Sequence, residues 1–173
     1  MRIAPICLRP LDPARDAEAL HAILGDEACC HYMAGPATKS IDETQLLLAK
    51  WTAGTEETSW AIVESEGGPA LGRVTLMPRG ACVWEAGIMV SPEAQGRGLA
   101  SRALAQAADI AFENLGARRI YADIDPENAP CIAAFKKLGF HYEGRHRATW
   151  QTHIGVRDSV FYALIDSDLK AWR

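Results

Sequence analysis

The stretch Ser91 to Leu104, SPEAQGRGLASRAL, sets two glycines around an arginine and runs at once into small residues and leucines. Gly96 and Gly98 interrupt regular structure, and the residues from Leu99 onward favour a helix. A loop almost free of side chains, opening a helix and carrying one cation, is suited to hold an anion. Its backbone N–H groups can approach the ligand closely, and the helix dipole adds favourable potential. Two nucleotide chemistries are tested first. A P-loop ends in Gly-Lys-Ser/Thr so that the lysine reaches the phosphates and the hydroxyl reaches Mg²⁺. Here Gly98-Leu99-Ala100-Ser101 has no lysine, which rejects it. A dinucleotide fingerprint needs Gly-x-Gly-x-x-Gly after a strand. Gly96 and Gly98 fit, but Ser101 stands where the third glycine belongs. A glycine turn at a helix start with no ligand is the plain structural alternative.

Other chemistry is thinner. His21, His31, His141, His146 and His153 form no metal set, so no metal is expected. Five cysteines is an odd count; Cys29 and Cys30 are adjacent, and Cys7, Cys82 and Cys131 stand alone. They show neither zinc spacing nor a disulfide framework and fit a reducing cytoplasm. A net charge of −4 gives no global attraction for nucleic acid and suits a cationic acceptor better. No apolar run is long enough to span a bilayer, and the N-terminal residues lack the apolar core of a signal peptide.

The elements that must position the loop follow from periodicity. The 173 residues, 49% hydrophobic and 23% charged, suit one globular domain spanning 1–173. IAPICLRPL reads as a strand ended by Pro10 and Pro13. Ala17, Leu20, Ile23 and Leu24 fall on one face of a helix stopped by Gly25. CCHYMAGPATKS reads as a loop. Ser40 and Glu43 have capping-box spacing before a second helix. SWAIVES, ALGRVTLMPR and ACVWEAGIMVSP are three consecutive strands, the first two joined by a Gly-Gly-Pro turn. The opening loop then leads into a helix to about Leu115, with Gly116 after it. ARRIYADID is a strand, and PENAPCIAAFKKLGF a helix with Asn128 near its cap. HYEGRHRATW and DSVFYALID are the last strands, and SDLKAW a terminal turn of helix. The antiparallel meander and the parallel strand–helix–strand crossover together predict a mixed α/β sheet with helices on its faces.

Gln95-Gly96-Arg97-Gly98-Leu99-Ala100 resembles the Gln/Arg-x-x-Gly-x-Gly/Ala signature of the GCN5-related N-acetyltransferase (GNAT) superfamily. Asn128 to Phe140, NAPCIAAFKKLGF, resembles that superfamily's next signature and lies one strand after the loop, where the fold places it. LRPL, GPATKSIDET and the tail GVRDSVFYALIDSDLKAW look like its ribosomal-protein N-terminal acetyltransferase branch. The resemblance covers nearly the whole chain and is tighter in the last two-thirds. It implies a GNAT fold: a mixed, mostly antiparallel sheet of six or seven strands, helices on both faces, and a splayed central strand pair. It also implies acetyl-CoA as co-substrate. The acceptor would be a peptide N-terminus, an amino acid or a small amine, attacked directly in a ternary complex. Partners considered are therefore the amine or protein N-terminus that accepts the acetyl group and a second copy in a homodimer, with oligomeric state left open. The rivals are a coenzyme A-binding sensor without turnover and a Rossmann-like nucleotide binder.

The resemblance assigns residues as well. Gln95, Gly96, Arg97, Gly98, Ala100 and Ser101 would cradle the pyrophosphate, and the backbone of Ile88, Met89 and Val90 would bind the pantetheine arm. Glu85, on the strand face shared with Gly87 and Met89, is the candidate general base; the alternative is a solvated glutamate. The family's tyrosine proton donor is replaced by Phe135, expected to pack against cofactor or core. Cys131, at a serine position of the branch, is the substitute donor or a packed thiol, with Tyr121 and Tyr142 as fallbacks. Asn128 would cap its helix and reach the pantetheine arm, and Lys137 would lie near the adenosine. His31, Tyr32, Glu85, Trp150 and His153 are candidate acceptor contacts.

Overall fold

The computed structural model describes residues 6–54 and 58–173, so the expectations for residues 1–5, including the start of the first strand, lie outside the described residues. The chain runs β1 (Cys7–Pro10), α1 (Pro13–Leu24), α2 (Glu27–Cys30), α3 (Ile41–Thr52), β2 (Thr58–Val63), β3 (Gly72–Pro78) and β4 (Val83–Val90). A 3-10 turn (Pro92–Ala94) leads to α4 (Leu99–Glu113), β5 (Arg119–Ile124), α5 (Ala129–Lys137), β6 (His141–Thr152) and β7 (Gly155–Ile165). One seven-stranded sheet has the order β1-β2-β3-β4-β5-β7-β6. Every pairing is antiparallel except β4 with β5, the pair joined by the α4 crossover.

Local chemistry sets the helix ends. The Asp12 carboxylate accepts the Ala14 and Arg15 N–H groups, and Pro13 starts α1 where no intrahelical donor is needed. The Ser40 hydroxyl accepts the Glu43 N–H. Glu43 reaches back to the Lys39 N–H, one residue beyond the reciprocal partner expected of a capping box. A one-turn α2 replaces the start of the expected loop, with Asp26 accepting the Cys29 N–H. Four residues are too few to display a helical period.

Alternation along β2 divides the core. Ala61 and Val63 pack with Leu20, Ile23, Leu24 and Leu48 of α1 and α3. Ile62, between them, joins Val74, Leu76, Ala86, Ile120 and the α4 and α5 helices on the other face. The sheet is therefore covered on both sides. The expected C-terminal helical turn is not formed: residues after Ile165 make only hydrogen-bonded turns. Asp168 accepts the Ile165 N–H, which competes with helix nucleation; Leu169 is 88% exposed, and the segment is anchored instead by Trp172, which packs on the core and donates Nε1 to Asp109. No helix among the described residues is long and apolar enough to cross a membrane.

Candidate active site

The sheet opens at its one parallel pair. β4 and β5 pair at Val83–Arg119, Trp84–Ile120 and Glu85–Tyr121 and no further. Beyond that point each strand keeps its outer partner, β4 with β3 as far as Val90–Gly72 and β5 with β7 as far as Ile124–Val160. The result is a fork whose mouth starts at Glu85 and Tyr121. The free edge of β4 along 86–90 contains the Ile88, Met89 and Val90 backbone. Their side chains split as expected: Ile88 and Val90 pack toward α4, and Met89 toward α1 and α3.

Glu85 is held at the apex of the fork. Arg79 Nε donates to Glu85 Oε2 at 2.8 Å, and the Tyr121 hydroxyl donates to the same oxygen at 3.0 Å. Oε1 has no partner among the described residues. The Glu85 side chain is 16% exposed, so that oxygen is within reach of a ligand yet largely shielded from bulk water. Burial, and then the Glu85 charge, push the Tyr121 phenol above its usual range; it stays protonated and acts as donor in this bond.

The loop ahead of α4 offers donors. Gly96 and Gly98 have φ of 72° and 73°, a region that costs an L-residue about 1–2 kcal/mol. Gly98 is the N-cap of α4 and has no side-chain cap. The first helical bond is Arg102 N–H to Gly98 C=O. The N–H groups from Gly96 to Ser101 have no acceptor among the described residues. Gln95 Nε2 donates to the Val90 carbonyl at 3.2 Å, tying the loop to the end of β4. Arg97 turns to an ion pair with Glu64 of the β2–β3 turn. Ala100 and Ser101 are half-buried in the first turn.

α5 begins beside the open end of β5. Asn128 Oδ1 accepts the Cys131 N–H at 3.2 Å, which fulfils the capping role and leaves the amide Nδ2 uncommitted. Cys131 packs against the α4-side core, and burial pushes its thiol up to about 12. Phe135 is 1% exposed and meets Phe140 edge-on at 5.0 Å. Lys137 is exposed in the last turn, about 13 Å along the helix from Asn128.

Of the acceptor candidates, His31 and Trp150 reach the open end of β5. His31 and Tyr32 are exposed and stack edge-to-face at 4.7 Å. Arg157 holds the Asp125 carboxyl below its usual range, the Glu127 N–H adds to this, and nearby His31 contributes. That ties the end of α2 to the end of β5. Trp150 Nε1 donates to Asp123 Oδ2 at 2.9 Å, whereas His153 lies in the turn between β6 and β7 and its side chain makes no hydrogen bond or ion pair among the described residues. Arg79, Asp123 and the Asp125–Arg157 pair are additions to the residues expected from sequence. Their partners lie 6 to 32 positions away along the chain, and no local pattern links them. Among the described residues no group of three or more His, Cys, Asp or Glu side chains is arranged to hold a metal ion.

Comparison with known proteins agrees with this geometry. A segment of 57 residues is 46% identical to spermidine N(1)-acetyltransferase of Escherichia coli (strain K12), covering 33% of this chain and 31% of that protein. The match thus spans about a third of that relative. The structure of a probable GNAT-family acetyltransferase from Chromobacterium violaceum superposes with a TM-score of 0.87 at 26% identity, over 99% of this chain and 86% of the other. Spermidine N-acetyltransferase from Vibrio cholerae, solved with CoA and spermine, shares the fold with a TM-score of 0.81 at 22% identity, over 97% and 98% of the two chains. Residues 6–141 match the acetyltransferase (GNAT) domain family. That span takes in the fork, the glycine loop and the Asn128-capped helix, and the chain belongs to the GNAT acetyltransferase family.

Proposed function

We propose that the chain transfers the acetyl group of acetyl-CoA to a primary amine by direct attack within a ternary complex. The fork carries this reading: a free β4 edge starts at the Glu85 carboxylate and ends at a loop with six consecutive N–H groups, Gly96 to Ser101, that have no acceptor among the described residues. The loop amides and the α4 dipole would hold the pyrophosphate. The Ile88–Val90 backbone would bind the pantetheine arm as a further strand partner, with the Asn128 amide alongside.

Acetyl-CoA supplies an activated acyl group on a thiolate leaving group. Glu85 Oε1 takes the proton from the attacking amine, directly or through one water. Tyr121 and Arg79 fix the carboxylate through the other oxygen, which leaves Oε1 as the one available to the amine. A backbone N–H near Met89 would polarise the thioester oxygen. A dedicated acid is dispensable, because a thiolate with a pKa of ~8.5 leaves readily at neutral pH. Donation from Cys131, pushed up to about 12 by burial, would run uphill, which supports a packing role for the thiol.

The spermidine acetyltransferase relatives and the net charge of −4 support a small cationic amine as acceptor. The resemblance to the ribosomal-protein branch keeps peptide N-termini in the test. Thiol release is followed with acetyl-CoA and a panel of diamines, monoamines, amino acids and N-terminal peptides, beside calorimetry with acetyl-CoA. Turnover with an aliphatic amine is expected. Tight acetyl-CoA binding with no thiol release across the panel would favour the sensor reading instead.

A further inference from the structure

Four carboxylates stand around the mouth of the fork, and three have cations. Glu85 pairs with Arg79, while Asp125 and Glu127 share Arg157. Asp123 has no ion pair among the described residues; its one contact is the Trp150 indole N–H on Oδ2. Asp123 follows Tyr121 by two residues on β5, so it leaves the same face as the phenol that holds Glu85. It lies one strand repeat past the last β4–β5 pair, about 7 Å into the open fork.

The Trp150 contact depends on a local distortion. A regular ladder continued from His146–Ser159 would set Ala148 opposite Arg157, but the register shifts and Trp150 stands there. Ala148 has a φ of 51°, a conformation uncommon outside glycine. Asp158 of β7 secures it, accepting the Ala148 N–H on one oxygen and Arg145 Nε on the other, both at 2.8 Å. The distortion brings an aromatic donor to the one of these four carboxylates that has no ion pair among the described residues.

Resting on the amine acetyltransferase reading, we propose that Asp123 binds a second ammonium group of the acceptor, with Trp150 as its positioning residue. The reacting nitrogen stands at Glu85 and the other at Asp123, a separation that suits a short diaminoalkane. Selection of diamines over monoamines follows, because a monoamine leaves the Asp123 carboxylate without its cation.

Putrescine and butylamine, equal in chain length but with two and one cationic nitrogens, are compared as acceptors by thiol release at saturating acetyl-CoA. The wild-type enzyme should favour putrescine in kcat/KM by about tenfold or more, the usual effect of one charge-assisted hydrogen bond. Asp123→Asn should lower the putrescine-to-butylamine ratio by about the same factor, chiefly through KM for putrescine. Asp123→Glu should restore part of it. Trp150→Phe keeps the ring and removes the donor, and should move the ratio less, again through KM rather than kcat. Circular dichroism and calorimetry with acetyl-CoA report folding and co-substrate binding for each variant. An unchanged ratio in Asp123→Asn, with both amines still acetylated, overturns the assignment alone. Should a variant fail to fold, the wild type decides: equal kcat/KM for the two amines overturns it. A wild-type enzyme that binds acetyl-CoA and acetylates neither amine overturns the small-amine reading and this assignment together.

Discussion

Glu85 combines two properties that a general base needs: one oxygen is fixed by Arg79 and Tyr121, and the other is free at the mouth of the fork. Glu85→Gln keeps the shape and removes the basic oxygen. We expect kcat to fall by roughly 10²–10⁴, the usual contribution of a positioned base, with acetyl-CoA affinity within about threefold of wild type. Single-turnover thiol release and calorimetry measure the two quantities. A Glu85→Gln enzyme with undiminished kcat would remove Glu85 from the chemistry. Cys131→Ala is the matched control. Its thiol, pushed up to about 12 by burial, holds its proton too firmly to protonate a departing thiolate, so kcat should stay within about threefold. A loss comparable to that of Glu85→Gln would restore Cys131 as the acid.

At the scale of elements, β4 carries the edge proposed to bind the pantetheine arm, and a glycine on its neighbour lets the two strands approach there. A Cβ on Gly72 would lie 2.3 Å from the Met89 carbonyl oxygen and 3.1 Å from Val90 Cα. Both contacts are backbone, so no side chain can swing aside. Gly72→Ala must push β3 and β4 apart where β4 presents its free edge. A stability loss of about 1–3 kcal/mol in urea unfolding is expected. Acetyl-CoA should bind about tenfold or more weakly by calorimetry, because the Ile88–Val90 backbone moves with the strand. Unchanged affinity in a folded Gly72→Ala protein would mean that this edge does not bind the pantetheine arm. Much of this element layer was legible in sequence. Alternation along WEAGIMV assigns its two faces, and the glycine loop with the following apolar run marks the start of α4. The Asn128 cap is equally local. What sequence withheld is non-local or too short to have a period. Tyr121 meets Glu85 across 36 positions, Trp150 meets Asp123 across 27, and the distortion at Ala148 carries no glycine to announce it. SDLKAW was misread because spacing alone does not reveal that Asp168 caps backwards onto Ile165.

For the whole molecule, the fork interrupts an otherwise continuous sheet with a separate core on each face. A ligand there would bridge β4, the α4 loop and the start of α5, adding to the cores and to the Gln95–Val90 hydrogen bond that already links the loop to β4. Binding to the native state alone stabilises it by RT ln(1 + [L]/Kd), about 2.7 kcal/mol at a hundredfold excess over Kd. For a domain of this size each kcal/mol moves Tm by about 2–4 °C. Acetyl-CoA at that concentration should therefore raise Tm by about 5–10 °C. NAD is the informative control, since it also carries adenosine and a pyrophosphate for the loop amides but has no pantetheine arm to pair with β4. At the same concentration its shift should stay below about 1 °C. A rise equal to that of acetyl-CoA would mean that the anion loop binds alone and the β4 edge adds nothing. No shift with either would mean that the six N–H groups of the loop hold no nucleotide. A large shift with acetyl-CoA alone requires loop and fork to act on one ligand, which is the condition for presenting a thioester to an amine beside Glu85.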